Sequence, residues 1–192
     1  MLTMEETPND IKIKLALTLE EMYFGVTKKV TYQKRDICTS CRGRNKCSHC
    51  RGRKIALKET ITELEIPSGI AEGMELTKAD AGHVFYKNNV KSLFRFFKQK
   101  ASYGKLRIEF EEIKHPIYSR MAYHLILPYE LRKEIISKKD IVIEVPCMSN
   151  RMLKVRIPQN TPNGKIFRVN GKGFNNLIDG GLGDLLICIE VR

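Results

Sequence analysis

Residues 64–76 read LEIPSGIAEGMEL, and residues 155–167 read VRIPQNTPNGKIF. Both run apolar-x-Ile-Pro, then five residues, then Gly-x-x-apolar, at a separation of 91 positions (155 − 64). Gly82 and Gly173 keep that separation. Further on, GKLRIEFE from Gly104 matches GDLLICIE from Gly183 at a separation of 79, and near the start KLALTLEE from Lys14 resembles HLILPYEL from His124 at 110. Short matches in one common order indicate an internal duplication. The falling separations place about twenty extra residues between the second and third strands of the first copy, and twelve (91 − 79) between Gly82 and Gly104. The predicted organisation is a first β-domain over 8–120, carrying insertions at 38–53 and 83–103, and a second over 121–192.

Alternation supports strands throughout. In IKIKLAL, Ile11, Ile13, Leu15 and Leu17 share one face, and VTY from Val30 continues the pattern in the next strand. ITELEI, KLRIEFEEI, IVIEV, MLKVRI and DLLICIEV read as strands too. Between the first two, TLEEMYFG is a short helix: Thr18 and Glu21 have capping-box spacing and Gly25 ends it. The Ile-Pro steps end strands because proline has no N–H for a ladder. NGKGF and DGGLGD supply turn glycines. The fold class is all-β, two small sandwiches in tandem.

The first insertion holds CTSCRGRNKCSHCRGR, Cys38 to Arg53, which says C-x-x-C-R-G-R twice. One C-x-x-C can be a redox pair, but that belongs at a helix start in an α/β setting. Two units over Cys38, Cys41, Cys47 and Cys50 fit one tetrahedral zinc ion, structural because four thiolates leave no open position. Borderline-soft thiolates favour zinc over magnesium or calcium. His49, between Cys47 and Cys50, is a weaker competing ligand. Gly43 and Gly52 are expected to let each knuckle turn away. Cys147 and Cys188 sit in apolar runs and read as small buried side chains. Paired C-x-x-C units point to a reducing intracellular compartment, with the cytoplasm as first expectation.

No stretch of eighteen apolar residues suggests a membrane-spanning helix, and the polar, acidic start MLTMEETPND gives no expectation of export. The net charge is +12, but lysines and arginines read as scattered, with no basic helix collecting them. Solvated surface or contact with acidic partners is therefore expected ahead of nucleic-acid binding. The second insertion, HVFYKNNVKSLFRFFKQKASY, sets Phe85, Tyr86, Phe94, Phe96 and Phe97 among lysines. It reads as an extra edge strand with a buried ring face, or as an exposed aromatic-basic surface that extends a binding groove. No nucleophile motif and no phosphate-binding glycine loop is present, so no enzyme is expected.

These residues together resemble the carboxy-terminal client-binding region of the DnaJ-type, 40-kDa heat-shock cochaperones. DIKIKLALTLEEMYFGVTKKVTY is similar to the family's first strand, helix and second strand. The cysteine block resembles its C-x-x-C-x-G-x-G repeats, and LEIPSGIAEGMEL, KHPIYSR and RIPQNTPNGKIFRVNGKGF with GDLLICIEV follow its other motifs. The resemblance implies a cochaperone that adds an extended client segment beside the second strand of the first domain, an apolar side chain entering a pocket. It assigns client contact to Ile11, Val30, Tyr32 and Tyr118, with Leu76 as the opposite wall, and delivery to a 70-kDa heat-shock chaperone through a J-domain. The departures are specific. There are two C-x-x-C units where the family's zinc-bearing members have four, Arg44 and Arg53 stand where each repeat ends in glycine, and Lys105 stands where the family favours Asp. His115-Pro116-Ile117 is not a J-domain's His-Pro-Asp, and without the terminal dimerisation helix a monomer is expected. The readings beside this one are a zinc-dependent nucleic-acid module and a thiol-disulfide oxidoreductase.

Overall fold

A computed structural model describes residues 7–42, 47–86 and 101–192. The first strand, β1 (Ile11–Leu17), leads into helix α1 (Leu19–Phe24), then β2 (Val26–Ile37), β3 (Ile55–Ile66), β4 (Glu75–Lys78), β5 (Val84–Tyr86), β6 (Ala101–Tyr103) and β7 (Leu106–Glu112). After β8 (Ser119–Met121) the order recurs: β9 (His124–Leu131), α2 (Lys133–Ile136), β10 (Ile141–Pro146), β11 (Met152–Ile157), β12 (Ile166–Val169) and β13 (Leu185–Val191). The chain is mostly β, as expected. The helix forms where its cap is written: Glu21 N–H donates to Thr18 Oγ1 at 3.3 Å, and Thr18 N–H donates to Glu21 Oε2 at 3.0 Å. Leu19 and Met22 are its buried face.

The duplication is visible in the sheets. One has the strand order β1-β7-β4 and another β12-β13-β9-β8, while β2 pairs with β3 and β10 with β11. The middle strands carry the cores: Leu106, Ile108 and Phe110 of β7, and Leu185, Ile187 and Ile189 of β13, are all 0% exposed. Each such side chain is worth roughly 1.5–3 kcal/mol of burial.

Hydrogen bonds give the register between copies. Ile11 N–H donates to Lys105 O at 2.8 Å, as Leu125 N–H does to Asp184 O at 2.9 Å. Gly82 N–H donates to Gly104 O at 2.8 Å, as Gly173 N–H does to Gly183 O at 2.9 Å. The separations of 91 and 79 hold. The first strands, however, correspond at 114 (125 − 11) rather than the expected 110, and α1 and α2 begin 114 apart (133 − 19). Strand patterns repeat every two residues, so a slip of four sets apolar on apolar and leaves no trace in the sequence.

Two glycine pairs mark close approaches rather than turns. A Cβ on Gly82 would stand 2.6 Å from Asn9 O, and one on Gly173 2.5 Å from Tyr123 O; Gly104 and Gly183 face the same two carbonyls.

Contacts divide the chain into two compact units. The first comprises Met1–Leu15, Thr27–Leu64 and Glu72–Glu111; the second comprises Ala16–Val26, Glu65–Ala71 and Glu112–Arg192. In the second, Arg120 donates to Gly69 O at 3.0 Å and to Ala122 O at 2.8 Å, and its guanidinium lies 4.0 Å from the Phe174 ring centroid. The PSGI loop after β3 is thereby tied to residues near the chain's end, which no periodicity in the sequence announces.

Candidate metal centre and binding edge

The β2–β3 hairpin is longer than its counterpart. Residues 147–151 join β10 to β11, whereas residues 38–54 join β2 to β3, so the cysteine block stands at the tip of a lengthened ribbon. Cys38 N–H donates to Lys54 O at 2.9 Å and closes the ribbon under the tip. The Sγ atoms of Cys38 and Cys47 are 3.9 Å apart and those of Cys41 and Cys50 3.6 Å; all four lie within 4.8 Å of one another. Four sulfurs around a metal at bonds of about 2.3 Å stand about 3.8 Å apart, so the donor set fits a tetrahedral ion. No pair is bonded as a disulfide.

The local backbone supports thiolates. The Cys38 thiol is lowered to about 6, first by the backbone N–H of Cys41, with burial opposing and the Ser40 N–H and the sulfurs of Cys41 and Cys47 adding. Arg42 N–H donates to Cys38 O at 2.7 Å, while Gly52 and Arg53 N–H donate to Cys47 O and Cys50 O at 3.1 and 3.0 Å. Gly52 has φ +73, and a Cβ there would meet nothing within 4 Å, so it is required for its dihedral and not for space. His49 is exposed, and among the described residues the cluster consists of the four cysteines alone. Gly43 and Arg44 lie outside the described residues.

Of the client-contact residues, Ile11, Val30, Tyr32 and Leu76 belong to the first unit and Tyr118 to the second. Ile11, Val30 and Leu76 are half-buried and Tyr32 is buried, its hydroxyl donating to Ala81 O at 2.8 Å. Tyr118 is buried too, and its hydroxyl donates to Pro146 O at 2.6 Å on β10. That burial pushes the Tyr118 phenol up to about 12.

The two second strands differ at their free edges. Among the described residues β2 pairs with β3 and β10 with β11, leaving one long edge of each open. Register aligns Val30 with Val145 (145 − 30 = 115). β2 and β3 are equally long and close on Cys38 N–H to Lys54 O, so Val26 faces Ile66 as Ile141 faces Ile157, 91 residues further on. Ile143 is 5% exposed and Val145 0%, whereas Val30 is only half-buried, so the inward face of β2 is less completely covered. On the outer edge, Arg35 N–H leaves the ladder for His83 Nδ1 at 3.0 Å, which by alternation directs the Gln33 and Thr31 amides the same way. The counterpart of Thr31 is Pro146 (31 + 115), which has no N–H and whose carbonyl is taken by Tyr118. The second copy's edge is blunted there.

Beyond Tyr86 the aromatic insertion enters residues 87–100, so Phe94, Phe96 and Phe97 lie outside the described residues. Its frame is described: Val84 pairs with Tyr103, as Asn175 bridges Leu182 in the second copy. Tyr103 OH donates to Asp36 at 3.0 Å, fastening that frame to the outer half of β2.

A family model, the DnaJ C terminal domain, matches residues 11–192. The chain belongs to that family. Among its relatives is a chaperone protein DnaJ of Bacteroides thetaiotaomicron, 32% identical over 95% of this chain and 55% of the relative. Another, from Protochlamydia amoebophila, is 31% identical over 82% of this chain and 35% of the relative. A third, from Gluconobacter oxydans, is 22% identical over 97% of this chain and 57% of the relative. The chain thus spans about half the length, or less, of these DnaJ relatives. The motif resemblance and the all-β architecture therefore stand, with a four-cysteine cluster that could hold a metal.

Proposed function

We propose that the free edge of β2 binds extended apolar segments of unfolded polypeptides by strand addition, and that the chain acts as a cochaperone module and not as an enzyme. The observation that carries this is the contrast of edges: Thr31 offers an amide where Pro146 has none, beside a half-buried Val30 where Val145 is 0% exposed. Backbone hydrogen bonds along an open edge tolerate any sequence, and an incompletely covered apolar face selects hydrophobic side chains. Ile11, Val30, Tyr32 and Leu76 form the client-contact set in this reading. Tyr118 enters it through the family resemblance alone.

The cysteine cluster would hold one zinc ion through Cys38, Cys41, Cys47 and Cys50, and the ion would pin the two knuckles together. Reduced thiols in that role suit a reducing intracellular compartment, the cytoplasm first. Among the described residues no helix is long and apolar enough to cross a membrane. Transfer of clients to a 70-kDa heat-shock chaperone would require a J-domain, with this chain, as a monomer, supplying the client-binding part. The functional divisions remain 8–120 and 121–192.

The test is Thr31→Pro, which writes the second copy's blunted edge into the first. Anisotropy of a fluorescent apolar heptapeptide should show binding to the wild type and at least about a tenfold loss in the variant, with the circular dichroism spectrum unchanged. Undiminished binding by a folded variant would remove β2 as the client edge.

A further inference from the structure

The places where the first copy outgrows the second hold the chain's entire net charge. From Ile37 to Lys58 the sequence has seven basic residues and no acidic one; between Tyr86 and Ala101 it has five and none. Those twelve (7 + 5) equal the net charge of +12, and the remaining 22 basic residues (34 − 12) balance 22 acidic ones. The charge is not scattered, as it seems on a linear reading; the register between copies is what groups it.

Three of the described basic residues are exposed at the hairpin tip. Arg42, Arg51 and Arg53 are solvent-facing, and among the described residues none is paired with a carboxylate. Four thiolates on a dication sum to −2, so a metal-loaded tip still keeps five positive charges (7 − 2). The backbone adds an independent sign. Arg42 has φ 49, Arg51 φ 50 and Lys54 φ 66, a region that favours glycine or asparagine. Arg42 and Arg51 each follow the second cysteine of a knuckle, so a basic side chain is kept at both equivalent positions despite the dihedral.

We propose that this tip binds the phosphate backbone of a nucleic acid. Guanidinium forks match phosphate oxygens two at a time, and a stretch of 22 residues without an acidic one suits a polyanion of regular spacing. An acidic polypeptide fits less well. The exposed aliphatics next to the tip, Leu57 at 69% and Ile61 at 66%, alternate on one face of β3 with Glu59 and Glu63. Recognition through phosphates alone carries no base information, so binding is sequence-independent. The site is distinct from the client edge and does not depend on it.

The experiment titrates a fluorescent 20-nucleotide single-stranded RNA with zinc-loaded full chain at several salt concentrations. The triple variant Arg42→Asn, Arg51→Asn, Arg53→Gln is compared, with Lys138→Gln, Lys139→Gln as a charge control and metal content confirming an intact tip. Asparagine tolerates the left-handed dihedral, so the knuckles are retained. The expected result is salt-sensitive RNA binding whose log–log slope falls by about 2 in the triple variant, each phosphate contact on a single strand contributing about 0.7, while the control is unchanged. Three outcomes overturn the proposal: no RNA binding at low salt, equal loss in the control, or poly-glutamate of matched charge bound as tightly as RNA. The last would assign the tip to acidic polypeptides.

Discussion

The carboxylate of Asp10 accepts the backbone N–H of Lys105 at 2.8 Å, and in the second copy the ring of His124 accepts the equivalent N–H, that of Asp184, at 3.0 Å. The acid that the second copy keeps just before its last strand stands just before the first strand in the first copy. Lys105, which stands where the family favours Asp, is therefore matched by a carboxylate across the sheet. Asp184 in turn accepts from Gly171 N–H at 2.8 Å and is paired with Arg168.

An acid sensitivity follows. Burial pushes the Asp10 carboxyl up, but the N–H groups of Lys105 and Thr7 outweigh it and hold it below its ordinary value. The Gly171 N–H, against burial and with Arg168, lowers Asp184 as well. Groups with depressed folded values contribute stability above their unfolded value, roughly pH 4, and lose it as pH falls through the folded value. Urea midpoints should be flat from pH 7 to 5 and fall below pH 4. The double variant Asp10→Asn, Asp184→Asn should start lower and lose that acid slope.

Tyr118 predicts the opposite limb. Its phenol is pushed up to about 12 by burial, with Cys147 adding, so stability is full below about pH 10 and declines as pH rises towards the folded value. Tyr118→Phe should reduce the alkaline slope, the part that remains belonging to Tyr23, Tyr32 and Tyr103, whose phenols burial also pushes up. It should also cost about 1 kcal/mol at neutral pH, because Pro146 O loses its donor. Thermal melts at pH 7 and 10.5 measure both effects.

Close approach and dihedral strain are separable at glycines of the second copy. Gly183→Ala drives a Cβ into Tyr123 O and should destabilise by about 3 kcal/mol or prevent folding. Gly164→Ala, at φ +79 with nothing within 4 Å, should cost only about 1 kcal/mol. Denaturant midpoints rank the two, and equal losses would mean that the backbone approach at Gly183 is misassigned.

Metal loss should leave most of the fold standing. The roots of β2 and β3 correspond to β10 and β11, which pair with only residues 147–151 between them. Cys47→Ser should reduce bound zinc from one equivalent to near zero by atomic absorption. The main thermal transition should move by less than about 4 °C, the equivalent of about 1 kcal/mol in a chain of this size.

Local chemistry was readable wherever it is self-contained. Thr18 and Glu21 announce their capping box, the Ile-Pro steps end β3 and β11 where they should, and the cysteine spacing alone draws four sulfurs into one cluster. Properties set by what packs against a residue were not readable. Alternation presents Val30 and Val145 alike, and only the fold leaves one half-buried and the other 0% exposed. Arg120 carries no periodic signal, yet it grips Gly69 O and covers Phe174. Gly173 and Gly183 read as turn glycines, whereas crowding against Tyr123 O is what requires them.

The central claim is that β2 of the first unit is the client-binding strand, and Val30→Asp tests it most directly. Val30 is half-buried on β2, so a carboxylate there places charge on the face that would receive an apolar side chain while leaving the β2–β3 ladder intact. With a fluorescent apolar heptapeptide, the account predicts at least about a tenfold rise in Kd, equivalent to about 1.4 kcal/mol, with zinc content and the thermal transition retained. A folded Val30→Asp protein that binds the peptide as tightly as the wild type would contradict it.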